Sequence, residues 1–77
     1  MTNSNNQEED ERWTELLARL KQLAKDKGIT NDMIAEATGF KQGNVNRILN
    51  AKYSPRLANL FAIAEAIGVD IVIEERE

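Results

Sequence analysis

Residues 31–49 read NDMIAEATGFKQGNVNRIL, and how this stretch can fold decides the rest of the chain. Two short helices with a glycine between them fit it. Thr30 offers a hydroxyl to cap the first, Asp32 lies near its positive end, and Met33, Ile34 and Ala37 form a brief apolar face that ends at Gly39. Beyond Phe40, Val45, Ile48 and Leu49 recur at helical spacing on one side of a second helix, Gln42 to Asn50, whose other side carries Gln42, Asn44, Asn46 and Arg47. Helices this short, joined by a turn of roughly three or four residues, must cross steeply to share a core. A close crossing calls for a small side chain, which Ala35 supplies, and for a turn residue tolerant of positive φ, which Gly39 is. Ala35, Gly39, Val45 and Ile48, with Ile34 and Phe40, thus fill the small, flexible and apolar positions of a two-helix corner in order.

Outward from this corner the chain divides into three parts. Residues 1–7 are Asn-rich and polar, with no apolar periodicity, and are expected to be a disordered tail. Residues 8–68 form the domain. In it, Trp13, Leu16, Leu17, Leu20, Leu23 and Ala24 make one stripe of a helix running from about Glu8 to Lys27, with Lys25 and Lys27 in its last turn and Gly28 as its stop. Ser54 followed by Pro55 signals another start, a capping hydroxyl and then a residue whose missing N–H is no loss there. Leu57, Leu60, Phe61, Ala64 and Ile67 are the expected buried face of this last helix, and Gly68 its end; Trp13 and Phe61 are expected in the core. In residues 69–77, Val69, Ile71 and Ile73 alternate with Asp70, Val72 and Glu74, the period of a half-buried strand with no second strand in the chain to pair with.

Seventy-seven residues hold one modest core, and with 42% hydrophobic and 30% charged residues the chain suits one globular domain. It has no cysteine and no histidine. Disulfides and the usual zinc sites are thereby excluded, as is a nucleophile worked by a histidine base; no metal, cofactor or enzymatic activity is expected, and oligomerisation remains as the route to added stability. No apolar run approaches the roughly 20 residues of a membrane span, and the polar, acidic N-terminus is unlike a signal peptide, so a cytoplasmic location without membrane attachment is expected.

The net charge of −3 is unevenly spread. Glu8, Glu9, Asp10 and Glu11 crowd one end, and Asp70, Glu74, Glu75 and Glu77 the other, where Arg76 alone opposes them. Between Ala37 and Ala64 there is no acid, while Lys41, Arg47, Lys52 and Arg56 all lie inside that stretch. Affinity for a polyanion depends on charge at the contact surface, so this basic island outweighs the acidic total.

Residues 29–52, ITNDMIAEATGFKQGNVNRILNAK, resemble the lambda-repressor-like Xre/Cro family of helix-turn-helix DNA-binding domains, and the likeness extends over roughly Leu16 to Gly68. The resemblance implies an all-α fold, a compact four- to five-helix bundle, to which the reading above adds a short C-terminal β-strand. It also implies that the helix at 42–50 enters the major groove and that dimers read two half-sites. Asn31 falls where the family usually has a phosphate-anchoring glutamine, and Gln42 on the family's frequent glutamine at the start of the recognition helix. Lys41 stands where a capping serine is common, and Ala51 replaces the usual glycine after Asn50. Gly43, inside the recognition helix, has two readings: close backbone approach to DNA, or the tolerance of a first helical turn for glycine.

The expected base contacts are therefore Gln42, Gly43, Asn44 and Asn46, since carboxamides can pair with adenine N6 and N7. Asn31, Lys41, Arg47, Lys52, Tyr53 and Arg56 are the expected phosphate contacts. For Arg47 the favoured alternative is an ion pair with Glu36, a link the family often makes; for Tyr53 it is packing of the ring. The function expected is sequence-specific binding of double-stranded DNA by a prokaryotic transcriptional regulator of repressor type, a homodimer joined through its C-terminal strand. The competing expectation is the antitoxin half of a toxin–antitoxin pair, its acidic ends suited to a basic toxin and its corner to its own operator.

Overall fold

Helices form where the apolar spacing places them: α1 (Arg12–Asp26), α2 (Asn31–Thr38), α3 (Gln42–Leu49) and α4 (Leu57–Ile67). The structure is a computed structural model and describes residues 11–76. The expected tail at 1–7 and the expected start of the first helix at Glu8 lie outside the described residues.

Local chemistry sets the helix ends. Thr30 Oγ1 accepts from the Met33 N–H at 3.2 Å and so caps α2, as its position suggested. Gly39 closes α2 at φ +81°, donating its N–H to the Ala35 carbonyl at 2.8 Å, and Thr38 Oγ1 takes up the Phe40 N–H at 3.1 Å. The other three helices share one type of ending, a left-handed residue followed by a backbone bond reaching five residues back. Ile29 N–H donates to Ala24 O after Gly28, Lys52 N–H to Arg47 O after Ala51, and Val69 N–H to Ala64 O after Gly68. Glycine occupies the left-handed position twice; at the end of α3 it is Ala51, at φ +58°.

The core draws on every helix: Leu17, Leu20 and Ala24 of α1, Ile34 of α2, Val45, Ile48 and Leu49 of α3, and Leu60, Ile63, Ala64 and Ile67 of α4. No polar or charged side chain is buried among the described residues. α2 packs on α3 and on α4, and α1 packs on the same two. Trp13, Leu16, Leu23, Ala35 and Phe40 close around this core. Lys27 Nζ, at the end of α1, donates to the Gly68 carbonyl at the end of α4, where the helix dipole favours a cation. No described helix is long and apolar enough to cross a membrane.

Three expectations need correction. No strand forms at 69–73, nor elsewhere among the described residues: Val69 and Ile71 lean on the core, but Val72 is 70% exposed and Ile73 99%. A strand exists through hydrogen bonds to a neighbour, and alternation alone cannot supply one. Secondly, α4 begins at Leu57 with Arg56 at its N-cap and no side-chain capping bond, so Ser54–Pro55 does not start it. Pro55 lies half-buried and lines one depression with Trp13, Leu16 and Leu60; tertiary packing overrides the local start signal. Thirdly, the buried stripe of α4 includes Ile63, whereas Leu57 is 64% and Phe61 47% exposed. Residues 57–67 read LANLFAIAEAI, apolar nearly all round, so periodicity cannot choose the inward side.

Candidate nucleic-acid interface

Burial of Val45, Ile48 and Leu49 fixes the rotation of α3 about its own axis. Gln42, Gly43, Asn46 and Arg47 are consequently exposed, with Asn44 half-buried at the edge of the same outward face. A helix with its side chains is about 10–12 Å across, close to the roughly 12 Å width of the B-DNA major groove. The outward face consists of amides, a glycine and one guanidinium, with no acid to repel phosphate.

Two sets of hydrogen bonds hold the amides. Tyr53, in the loop after α3, donates its hydroxyl hydrogen to Asn44 Oδ1 at 2.5 Å. From α1, Lys21 Nζ donates to Asn50 Oδ1 at 2.5 Å, and Asn50 Nδ2 donates in turn to Asn46 Oδ1. The loop and the first helix therefore brace the outward face of α3 from two sides. Tyr53 is 40% exposed, and its hydroxyl is engaged with Asn44.

The expected cations all lie at the surface. Lys41 is the N-cap residue of α3, its backbone extended and its side chain making no cap bond. Arg47 sits exposed in the last turn, Lys52 follows the left-handed Ala51, and Arg56 precedes α4. The favoured ion pair does not form: no hydrogen bond or salt bridge joins Glu36 to Arg47, both of which are exposed. An exposed pair gains little over hydration and must hold two long side chains in one geometry. A side chain at Gly43 would meet nothing within 4 Å, so packing does not demand glycine there.

Asn31 stands apart from α3. As the first residue of α2 it lines a depression with Thr30, Lys21 and Lys25, where helix α2 presents its positive end beside two lysines. From the sequence, Lys21 and Asn50 have no expected role at this interface, and Lys25 is only a base in the last turn of the first helix. The Asn46–Asn50 spacing of four was a readable signal of contact. Nothing in the sequence shows which face of α1 meets α3, and so nothing marks its lysines.

A family model described as helix-turn-helix matches residues 20–73, more than half of the chain, and takes in the whole of α2, α3 and α4. No curated protein and no solved structure matches the chain.

Proposed function

Because the chain belongs to the Xre/lambda-repressor-like helix-turn-helix family, we propose that it is a DNA-binding transcriptional regulator that inserts α3 into the major groove of a specific operator and represses transcription there. The observation that carries this reading is the two-sidedness of α3, which buries Val45, Ile48 and Leu49 while leaving Gln42, Gly43, Asn46 and Arg47 open. Gln42, Asn44 and Asn46 are the base-reading side chains, and Gly43 lets the backbone approach the groove, a role consistent with the open space at its α-carbon. Lys41, Arg47, Lys52 and Arg56 neutralise phosphates alongside α3. Asn31 holds a further phosphate at the start of α2, where Lys21 and Lys25 add to the attraction. Tyr53 acts from the side, through Asn44, and can reach the backbone with its free lone pair.

The regulator works in the cytoplasm as a homodimer on two half-sites. Leu57, Phe61, Val72 and Ile73 are large apolar residues left exposed by the single chain, and residues 69–73, which lack a strand partner here, can pair with the same segment of a second copy about a two-fold axis. The same exposed apolar residues suit a second reading, in which the chain is an antitoxin and a toxin covers them. Selection from random duplexes followed by sequencing tests the main reading: a palindromic motif is expected, and no enrichment at low ionic strength would remove it. Lys52→Ala should weaken binding to every duplex alike and reduce the slope of log affinity against log salt by about one. A homodimer by sedimentation of the purified chain supports the first reading over the antitoxin, whereas co-purification of a small basic protein in fixed ratio supports the second.

A further inference from the structure

Lysine carries hydrogen-bond donors only, so the atom of Asn50 that faces Lys21 Nζ must be the amide oxygen. The Asn50 nitrogen then lies on the other side, where it needs an acceptor, and Asn46 Oδ1 fills that place. Asn46 in consequence has its oxygen engaged and its NH2 group turned away from Asn50. A surface asparagine is ordinarily free to turn its amide over, because its oxygen and nitrogen are nearly the same size. Here the orientation is dictated by a donor-only residue on another helix, through one intermediary.

Resting on the reading of α3 as the base-contacting helix, we propose that Lys21, acting through Asn50, is a positioning residue that sets Asn46 as a hydrogen-bond donor toward the groove. In that state Asn46 selects base edges that offer an acceptor, guanine N7 and O6, adenine N7 or thymine O4, and rejects cytosine, whose N4 amino group would meet another donor. In water the relay is worth little, as all three side chains are exposed. In the groove, where water is displaced, a donor facing a donor is left unsatisfied, and the relay then decides the preference. Lys21 serves two ends at once: its charge adds to phosphate attraction, and its lack of any acceptor fixes an amide it does not touch.

The substitution Asn50→Asp separates these roles. A carboxylate has nearly the shape of the amide and still accepts from Lys21, but it cannot donate to Asn46. The Asn46 amide must turn over to donate to the carboxylate, and its oxygen then faces the base. Selection from random duplexes would be run on the wild-type chain and on Asn46→Ala, Asn50→Asp, Lys21→Met and Lys21→Arg, with urea unfolding of each to certify the fold. Asn46→Ala should flatten one position of each half-site and so identify it. At that position Asn50→Asp should move the preference about tenfold toward cytosine and away from guanine and thymine, whose edges only accept. The added charge should also weaken binding to all duplexes. Lys21→Met should flatten the same position, and Lys21→Arg, still donor-only, should keep the wild-type preference. If the wild-type chain enriches a motif but Asn50→Asp leaves the Asn46 position unchanged, or Asn46→Ala flattens none, the relay is overturned and the DNA reading stands. If the wild-type chain enriches nothing, both fall together.

Discussion

On one side of α3, Val45 and Ile48 have no exposed surface and Leu49 only 3%; on the other, Gln42, Gly43, Asn46 and Arg47 lie open to solvent. The two sides belong to one helix of two turns, yet they answer to different physics. The inner side is held by exclusion of water and by close packing against α1 and α2. The outer side contributes almost nothing to the fold, because its hydrogen bonds are made in competition with solvent. Under the proposed function, stability and specificity would be carried by residues as near as Ile48 and Asn46, with little shared between them. Changes on the inner side should alter how much protein is folded, and changes on the outer side what the folded protein binds.

The largest effect should follow from Ile48→Ala. Removing a fully buried isoleucine leaves a cavity in the core, and such truncations destabilise by about 2–5 kcal/mol. That is a large part of the roughly 5–15 kcal/mol that stabilises an ordinary domain. Urea unfolding should show the midpoint fall sharply, while the fraction that remains folded keeps the wild-type base preference. A change of preference in that fraction would mean that the two sides are not independent.

Next in size is Gln42→Ala. Loss of a carboxamide from a base edge should reduce discrimination at one base pair by about 1–3 kcal/mol. Its effect on unfolding should stay within about 0.5 kcal/mol, as for other exposed positions without a structural partner. Competition binding with single-base operator variants measures the first quantity and urea unfolding the second. Equal weakening on every variant would reassign Gln42 to the phosphates.

The inner side of α3 was legible in the sequence because apolar spacing of three and four is a direct imprint of burial. Thr30, Gly39 and the stripe of α1 were legible for similar reasons, since each answers to a local rule. α4 was less so: with apolar residues nearly all round, its inward stripe is settled only by what packs against it, and Phe61 was misplaced. The strand at 69–73 failed because pairing needs a partner that no periodicity encodes. On the outer side the residue types were readable, and of their connections only the four-residue spacing of Asn46 and Asn50 was. Lys21 is 29 residues from Asn50, and only the packing of α1 against α3 brings them together.

Ala51→Gly should have a smaller effect and the opposite sign. Gly28 and Gly68 occupy the left-handed ends of α1 and α4, and Ala51 holds the equivalent place after α3 at φ +58°. A side chain in that conformation is disfavoured by roughly 1–2 kcal/mol relative to glycine, offset in part by the greater freedom of glycine in the unfolded chain. The net gain should be near 1 kcal/mol, which raises the melting temperature of so small a domain by about 4–8 °C. Base preference should not move, because Ala51 packs on the core and not in the outward face. A lower melting temperature would show that the methyl group of Ala51 contributes more by packing than the backbone loses by strain.

The smallest effect on the single chain should come from Ile73→Ser. This side chain is 99% exposed, so its removal takes no apolar surface out of the core, and the unfolding free energy should change by less than about 0.5 kcal/mol. The proposed two-fold pairing of residues 69–73 would give this exposed isoleucine a partner surface. Sedimentation across a dilution series should then show the dimer weakened although the fold is untouched. Binding to an isolated half-site should be unchanged, and binding to the full palindrome should lose its cooperativity. An unaltered dimer would move the contact elsewhere, to Leu57 and Phe61 on α4, whose serine substitutions test that face by the same two measurements.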